Sequence, residues 1–549
     1  MKAALSHKFS WLFIPLLASL LYARTFRFDY IYYDDVSLIE SAKQVSQSKT
    51  PIADLFSQGA FGAGAKQDSY YRPLLSLTFY FDSFFDSPIA FRFSNLLFHI
   101  AACLLFYLLL VRLSFDKSMA LMIALLFTAH PLLAEAVAWI PGRNDSLLAL
   151  FMVAAILSLF DYLQTSSKIK LFIFSCSFFA ALLTKESTLF FIPVLVALTL
   201  FFSKSKSQII ILAAIVLVTS AIYFIARNQV MATDVALPYA VLCKLVFKNI
   251  PAIPMFMAQA MLPVQLSVLP VFSASMAVVG ALFMIILLYL IYRNRFFSKQ
   301  LMIGATWFFC AGLPALIPNT FSYEMIFLNH RLYLPLMGLL ICSAALIQNY
   351  WNKSYWQYGA LGVLIFFCLL NSKYTEAFKS ELDFYTNATT NSPTSSFAWK
   401  GFGVCLQAKG DVSGSMSAYR QSLSLNIKIP EVRNNLARLF INQKEYVQSE
   451  KLLIEELQID STNSMAYYNL ATIRIEQNKL PEAVGYLQES VQHSPNNIEA
   501  LNDLAALLAQ QGQYVQALDY CNRILSINPE YEPALRNISM LKELMQNKK

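Results

Sequence analysis

Hydrophobic and polar residues are arranged differently on the two sides of residue 395. Before it, long apolar runs alternate with short polar segments, and after it apolar residues recur at helical spacing in a polar background. Apolar runs near 18 residues are typical of membrane-spanning helices, whereas amphipathic periodicity is typical of soluble helices. The pattern predicts an all-α protein with a multi-span membrane domain at 1–394 and a soluble helical domain at 395–549.

The membrane half contains about eleven segments that are long enough, or nearly so, to cross the hydrocarbon of a bilayer. They lie at 9–22, 92–113, 117–134, 146–163, 169–184, 187–203, 207–226, 271–292, 299–317, 331–349 and 355–371. The first run follows Lys2 and Lys8, and Arg24 with bulky aromatics follows it where a signal peptide would have a small-residue cleavage site. We therefore expect a retained signal anchor.

Lysine and arginine residues in the loops indicate the orientation of these segments. With a cytoplasmic amino terminus, every inner loop is basic, as the positive-inside rule requires. The odd number of spans then sends the first outer loop, 23–91, the segment 227–270 and the carboxy-terminal domain to the other face. We expect a bacterial inner-membrane protein with these parts in the periplasm, or in the lumen if the protein is eukaryotic.

The carboxy-terminal half is a repeat of 34 residues. Leu470-Ala471 recurs as Leu504-Ala505, Ala483 as Ala517, and Pro495 as Pro529. Small residues at these positions let paired helices approach closely, and the proline ends the second helix. The spacing predicts a tetratricopeptide array of about four repeats followed by a capping helix. Because the concave surfaces of such arrays commonly hold protein segments, we expect a polypeptide partner.

Composition and charge exclude several other classes of protein. The chain is 57% hydrophobic and 14% charged, with a mean hydropathy of +0.49. The net charge of +8 comes largely from loop residues that report topology, so nucleic-acid binding is not expected. The eight cysteines are scattered without a CxxC or Cys/His spacing, which predicts neither a zinc site nor a disulfide framework.

The first candidate site is an acidic pair, Asp34-Asp35, which follows Tyr33 in the first outer loop. Adjacent carboxylates repel each other, which can raise the pKa of one of them, and they can divide the roles of proton acceptor and orienting group. The structural alternative is a turn or a helix cap.

Further polar residues accumulate at the outer ends of other predicted spans. They are Arg72, Glu135, Arg143, Asp145, Lys185, Glu186, His330 and Arg331. Four separate cations near two carboxylates would suit a reaction with a phosphate leaving group, because cations stabilise its departure while a carboxylate takes a proton from the attacking hydroxyl. Each also has a structural alternative, such as a helix cap at Arg143-Asn144-Asp145 or an interfacial ion pair at Lys185-Glu186.

As a set, these motifs resemble one family. They are Tyr33-Asp34-Asp35, Tyr71-Arg72-Pro73-Leu74, Asn95-Leu96-Leu97-Phe98-His99, His130-Pro131 with Glu135, Gly142-Arg143-Asn144-Asp145, Thr184-Lys185-Glu186 and Arg331-Leu332-Tyr333-Leu334-Pro335. Together with the attached repeats, they resemble the transmembrane and tetratricopeptide repeat-containing O-mannosyltransferase family. That family looks like the GT-C class of membrane glycosyltransferases, which take a sugar from a polyprenyl-phosphate carrier.

The resemblance implies roles for the candidate residues. Asp34 or Asp35 would be the catalytic carboxylate. The implied contacts for the carrier phosphate and substrate are Arg72, Glu135, Arg143, Asp145, Lys185, Glu186, His330 and Arg331. The implied reaction is an inverting, Asp-assisted transfer of a sugar, mannose in the family, to Ser/Thr of extracytoplasmic proteins that the repeats present.

Two other functions fit the same residues. A glycosyltransferase could act on a lipid or surface glycan, with the repeats used for assembly, and a non-catalytic membrane scaffold could recruit proteins through its repeats. The residues imply no cofactor. Two carboxylates could hold a divalent metal with waters, but the sequence lacks a fuller set of oxygen ligands, so we expect no metal site.

Overall fold

The computed structural model describes residues 8–31, 34–60, 70–85, 87–231, 239–294, 297–317, 319–321 and 324–547. Over these ranges the chain is helical apart from loops and one two-stranded sheet, β1 (Asn319–Phe321) with β2 (Glu324–Ile326). The predicted all-α fold is confirmed. The chain divides into two compact units; the first ends at Pro393, and the second contains Glu324 and the residues from Thr394 onward.

The first unit consists of helices joined by short turns. In chain order they are α1 (Phe13–Tyr22), α2 (Asp35–Ser46), α3 (Pro51–Ser57), α4 (Pro73–Ser83), α5 (Pro88–Arg112), α6 (Lys117–Ala129), α7 (Ala134–Ala138), α8 (Arg143–Thr165), α9 (Lys168–Thr184), α10 (Ile192–Phe202), α11 (Lys206–Val230), α12 (Tyr239–Asn249), α13 (Ala252–Met261), α14 (Ala274–Asn294), α15 (Lys299–Gly312), α16 (Tyr333–Ile347), α17 (Ser354–Thr375) and α18 (Glu381–Asn391). Single 3-10 turns precede several of them, among them Ile140–Gly142, Glu186–Phe191 and Asn329–Leu332.

Each of the eleven predicted spans contains helix, but the helices differ in length. Six helices of the described residues are long and apolar enough to cross a membrane: Pro88–Arg112, Ile140–Thr165, Lys206–Val230, Ala274–Arg293, Asn329–Tyr350 and Ser354–Phe378. Lys117–Ala129 and Pro131–Ala138 would make a seventh span with a bend of 54°. The other predicted spans form the shorter helices α1, α9, α10 and α15.

Apolar side chains cover the outside of this unit. On α11, Leu217 is 69% exposed, and on α14, Ile285 is 62% exposed. Such continuous apolar surfaces are unfavourable in water and favourable in lipid. The chain is therefore an integral membrane protein.

The bend between α6 and α7 directly precedes Glu135, the second residue of α7. His130 ends α6, and its Nδ1 accepts a hydrogen bond from the backbone N–H of Leu132 at 3.3 Å. Pro131 follows, and a proline cannot continue the backbone hydrogen bonding of a helix. The interpretation of His130-Pro131 as a helix terminus agrees with this geometry.

The first outer loop is anchored by an apolar cluster. Leu38 and Ile39 of α2 pack with Phe79 of α4, Phe91 of α5 and Ile140. This burial fixes α2, which begins at the acidic pair, against the helices that carry the other polar residues.

The segment after α11 forms α12 and α13, and residues 232–238 lie outside the described part. Pro251 precedes α13 and Pro254 lies in its first turn, where a proline is tolerated. Helix α13 packs closely on α14, because a Cβ at Gly280 would come within 1.6 Å of the carbonyl oxygen of Pro254. The proline-rich segment is therefore two short helices and not one straight span.

The described residues 394–547 form four helix pairs and a last single helix. The pairs are α19 (Ser396–Ala408) with α20 (Val412–Leu425), α21 (Val432–Asn442) with α22 (Tyr446–Ile459), α23 (Ser464–Glu476) with α24 (Leu480–His493), and α25 (Ile498–Gln510) with α26 (Tyr514–Ile527). Helix α27 (Glu532–Asn547) follows.

The small residues of the 34-residue repeat lie where paired helices meet. Ala471 and Ala483, from one pair, and Ala517, from the next, are all fully buried. Helix caps recur as well, since the side chains of Asn463 and Asn497 each accept from the backbone N–H three residues on, at 3.0 Å. The second unit thus has the predicted tetratricopeptide architecture.

Candidate active site

The acidic pair stands at the start of α2. Asp34 occupies the N-cap position, yet among the described residues its side chain makes no capping hydrogen bond. Asp35 is fully buried, and its Oδ2 accepts from the backbone N–H of Ile31 at 3.0 Å. Tyr33 of the same motif lies outside the described residues. The carboxylate of Asp34 is therefore not committed to a helix cap, the alternative raised by the sequence.

Burial perturbs both acids. It raises the pKa of Asp34 to about 7. It also raises the pKa of Asp35 to about 7, against the opposing effects of the Ile31 hydrogen bond and the charge of Arg92. Carboxylates that titrate near neutral pH suit general-base chemistry.

Arg92 of α5 holds the loop that carries the pair. It is fully buried, and its Nη1 and Nη2 donate to the carbonyl oxygens of Phe28 and Asp29, both at 2.6 Å. Its Nε donates to the carbonyl oxygen of Ala138 at 3.4 Å. Arg92 thereby ties the loop to the turn after Glu135. Its signal in the sequence is a charge inside an apolar run, which is costly unless it has a role.

Arg143 lies in a buried network. Its Nη1 pairs with Asp82 Oδ2 at 2.5 Å, its Nε donates to Asn95 Oδ1 at 2.8 Å, and its Nη2 donates to the carbonyl oxygen of Phe91 at 2.7 Å. The guanidinium also lies 4.3 Å from the ring centroid of Phe79. All three nitrogens thus donate within the protein, and the side chain is 0% exposed. These contacts favour a structural role for Arg143, and its predicted contact with the carrier phosphate stays a prediction.

The turn at Gly142 brings Arg143 and Glu135 together. A Cβ at Gly142 would lie 2.3 Å from the carbonyl oxygen of Glu135, so the close approach requires glycine. Asn95 supports the same turn by donating to the carbonyl oxygens of Trp139, at 3.0 Å, and Ile140, at 3.3 Å.

Three cations come from three separate helix ends. Arg72 makes a bidentate pair with Glu186, with Nε–Oε2 at 3.1 Å and Nη2–Oε1 at 2.6 Å. Lys185 Nζ pairs with Asp145 Oδ1 at 2.8 Å. Arg331 donates to the carbonyl oxygen of Ile317 and interacts electrostatically with Arg72 and Asp145. Lys185 and Glu186 therefore pair with distant residues and not with each other.

A histidine connects the two buried acids of this cluster. His330 Nδ1 lies 2.5 Å from Glu135 Oε1, and its Nε2 lies 3.9 Å from Asp145 Oδ2. Glu135 is 1% exposed and His330 is 5% exposed. Glu135 and His330 are thus in direct contact, and His330 lies 3.9 Å from the Asp145 carboxylate that pairs with Lys185.

Trp139, which the motifs did not single out, lies between the acidic pair and this cluster. Its ring centroid is 5.7 Å from that of His330, and its indole interacts with Asp35. In sequence it reads as an ordinary interfacial aromatic residue, so only the fold could assign it to the site.

The described residues contain no group of three or more His, Cys, Asp or Glu side chains arranged to hold a metal ion. The fold and site define a class: an integral membrane protein with an acidic pair that Trp139 joins to a buried cluster of acids and cations, and a tetratricopeptide array.

Known relatives are similar to parts of this chain. A tetratricopeptide repeat model matches residues 474–539. Mouse protein O-mannosyl-transferase TMTC3 is 35% identical over 131 residues, which are 23% of this chain and 14% of that protein. Human TMTC4 is 29% identical over 171 residues, covering 28% and 23%, and human TMTC1 is 31% identical over 145 residues, covering 25% and 16%.

These relatives confirm the resemblance to the transmembrane and tetratricopeptide repeat-containing O-mannosyltransferases that the motifs predicted. The matches span less than a quarter of each relative's length. Among solved structures, the tetratricopeptide protein YrrB is 18% identical, covering 30% of this chain and 85% of that one, with a TM-score of 0.26. Pseudomonas aeruginosa pilF is 22% identical, covering 36% and 85%, with a TM-score of 0.28.

Proposed function

We propose that this chain is a GT-C type protein O-glycosyltransferase. It transfers a sugar from a polyprenyl-phosphate carrier to Ser/Thr of proteins on the extracytoplasmic side of the membrane. The observation that supports this most directly is the convergence of Arg72, Lys185 and Arg331 from separate helices beside buried carboxylates. The names of the relatives support protein O-mannosylation as the reaction.

The cations suit the leaving group. Arg72 directs Nε and Nη2 at Glu186, so among the described residues its Nη1 donors are available to a ligand. Lys185 has three donors and points at the same region, since its charge interacts with those of Arg72 and Arg331. A phosphate bound here would have its negative charge stabilised as the bond to the sugar breaks.

The acidic pair suits proton transfer. Asp34 is the more exposed of the two and is therefore the member that an acceptor hydroxyl can reach. In the proposed step, Asp34 accepts the hydroxyl proton, the oxygen attacks the anomeric carbon, and the polyprenyl phosphate leaves with the electrons of the broken C–O bond. Attack from the face opposite the phosphate inverts the anomeric centre. Asp35, held by Ile31, orients the pair.

A reconstituted transfer assay tests the proposal. The purified full chain in lipid nanodiscs is given polyprenyl-phosphate mannose and a set of Ser/Thr-rich acceptor proteins, and intact glycopeptides are measured by mass spectrometry. We expect mannose on Ser or Thr of the acceptor. Sugar found only on lipid would favour the lipid or glycan acceptor, and absence of any transfer with several donor sugars would favour the scaffold.

The role of the repeats is tested separately. A chain ending at Pro393 removes the second unit from Thr394 onward and leaves only the short stretch around Glu324 in place. We expect this truncation to lower transfer to a full-length protein acceptor about tenfold or more, through loss of effective concentration, while transfer to a short Ser/Thr peptide is retained. Peptide transfer serves as the folding control, and equal transfer to the protein acceptor by both chains would remove acceptor presentation from the proposal.

A further inference from the structure

We infer that Glu135, Asp145 and His330 form a subsite for the hydroxyl groups of the donor sugar, next to the cations that take its phosphate. This inference rests on the proposed function. The inference assigns the candidate residues to two parts of the ligand. The cations suit the negatively charged phosphate of a glycosyl phosphate, and the carboxylates suit its uncharged sugar.

The supporting observation is a pair of buried acceptors. Glu135 Oε2 and Asp145 Oδ2 are both inaccessible to solvent, and neither has a hydrogen-bond partner among the described residues. The other oxygen of each carboxylate is engaged, Glu135 Oε1 with His330 and Asp145 Oδ1 with Lys185. Two carboxylates thus each keep one oxygen unsatisfied inside the bundle, an arrangement that is unfavourable unless a ligand completes it.

The missing partner must donate hydrogen bonds. A phosphate presents only acceptor oxygens and would be repelled by two carboxylates, whereas each sugar hydroxyl supplies an O–H donor. His330 adds a third acceptor in its neutral form: with Nδ1–H donated to Glu135, its Nε2 has a lone pair facing Asp145. The cluster therefore matches a polyhydroxylated ligand and not an anion.

The position of the subsite fits a glycosyl phosphate. Lys185 Nζ contacts Asp145 Oδ1 at 2.8 Å. The carboxylates proposed to accept hydrogen bonds from the sugar hydroxyls therefore lie directly beside a cation proposed to bind the phosphate. The Trp139 ring, 5.7 Å from the His330 ring, offers an apolar wall of the kind that packs on the C–H face of a sugar. The turn closed at Gly142 fixes Glu135 relative to α8 and so sets the spacing of the acids.

The test separates sugar recognition from carrier recognition. The substitution Glu135→Gln keeps an oxygen to accept from His330 and replaces the unsatisfied oxygen with an NH₂ donor. Full-chain wild type, Glu135→Gln and the control Glu40→Gln, an exposed residue of α2, are compared for binding of polyprenyl-phosphate mannose and of polyprenyl phosphate alone. Melting temperatures of all three report folding.

We expect Glu135→Gln to weaken binding of polyprenyl-phosphate mannose about tenfold or more and to leave the affinity for polyprenyl phosphate unchanged within about twofold. A matching donor lacking one mannose hydroxyl should show the same weakening with wild type and little further loss with Glu135→Gln. Equal weakening for both ligands, or no weakening for either, would overturn the inference.

Binding is measured without an acceptor, so the outcome is independent of what the sugar is transferred to. A wild type that bound mannosylated and bare carrier equally well would overturn the sugar subsite while leaving the phosphate contacts standing. Failure to bind either ligand would overturn the proposed function itself.

Discussion

Replacing Asp34 with asparagine is expected to lower the rate of sugar transfer about 10²–10⁴-fold, the usual contribution of a positioned general base. Asparagine preserves the shape of the side chain but cannot accept the proton of the attacking hydroxyl. The loss should fall on kcat with donor affinity unchanged, because the donor contacts lie on other residues. Single-turnover kinetics with saturating donor measures it. Asp35→Asn is the matched variant: a greater loss at Asp35 than at Asp34 would reverse their assigned roles.

The rate of the same reaction is expected to increase with pH. A base acts when deprotonated, and burial raises the pKa of Asp34 to about 7, so the wild-type rate should rise with pH through about 7 and then level off.

The stability of the fold is expected to decrease over the same pH range. A carboxyl whose pKa is raised in the folded state stabilises the fold below its unfolded pKa, and this contribution is lost as pH rises towards 7. Asp35→Asn should therefore raise the melting temperature at pH 8 more than at pH 5.

The second large effect is on folding. Arg143→Met is expected to destabilise the membrane unit by about 3–5 kcal/mol, the usual result of removing one partner of a buried ion pair. Asp82, the buried residue left behind, would keep the hydrogen bond from the Ser94 hydroxyl but would have lost the cation that balances its charge. Thermal unfolding in nanodiscs and the yield of folded protein measure the loss.

The double variant Asp82→Asn/Arg143→Met provides the control, because it removes the stranded charge and should recover much of the lost stability. If Arg143→Met instead folded with an unchanged melting temperature and bound polyprenyl phosphate more weakly, Arg143 would be a phosphate contact after all.

The periodicity of the sequence was sufficient to predict the helices and their pairing, because the spacing of apolar and small residues determines both locally. The apolar runs predicted helices in the membrane half, and the 34-residue recurrence of small residues predicted the paired helices around Ala471 and Ala505. Span length was less predictable. Helix ends are set by residues such as Pro131, and those breaks turn some apolar runs into helices too short to cross a membrane unaided.

The sequence predicted which residues belong to the candidate site but not which of their side chains contact each other. Ionisable residues beside apolar segments are few, so Asp34, Lys185 and His330 stand out in the sequence. Their partners are distant, as the contact between His330 and Glu135 illustrates, and nothing in the sequence links them. The ion pair between Arg143 and Asp82 is a second case, because Asp82 lies in the first predicted outer loop and no motif of the sequence includes it.

The loop that carries the acidic pair is attached to the bundle through its backbone. Arg92 donates hydrogen bonds to the carbonyl oxygens of Phe28 and Asp29, and every residue type has such an oxygen. The position of the acidic pair therefore depends on α5. A substitution of Asp29, whose side chain is exposed, keeps the carbonyl oxygen that Arg92 binds, so evolutionary change is better tolerated at Asp29 than at Arg92.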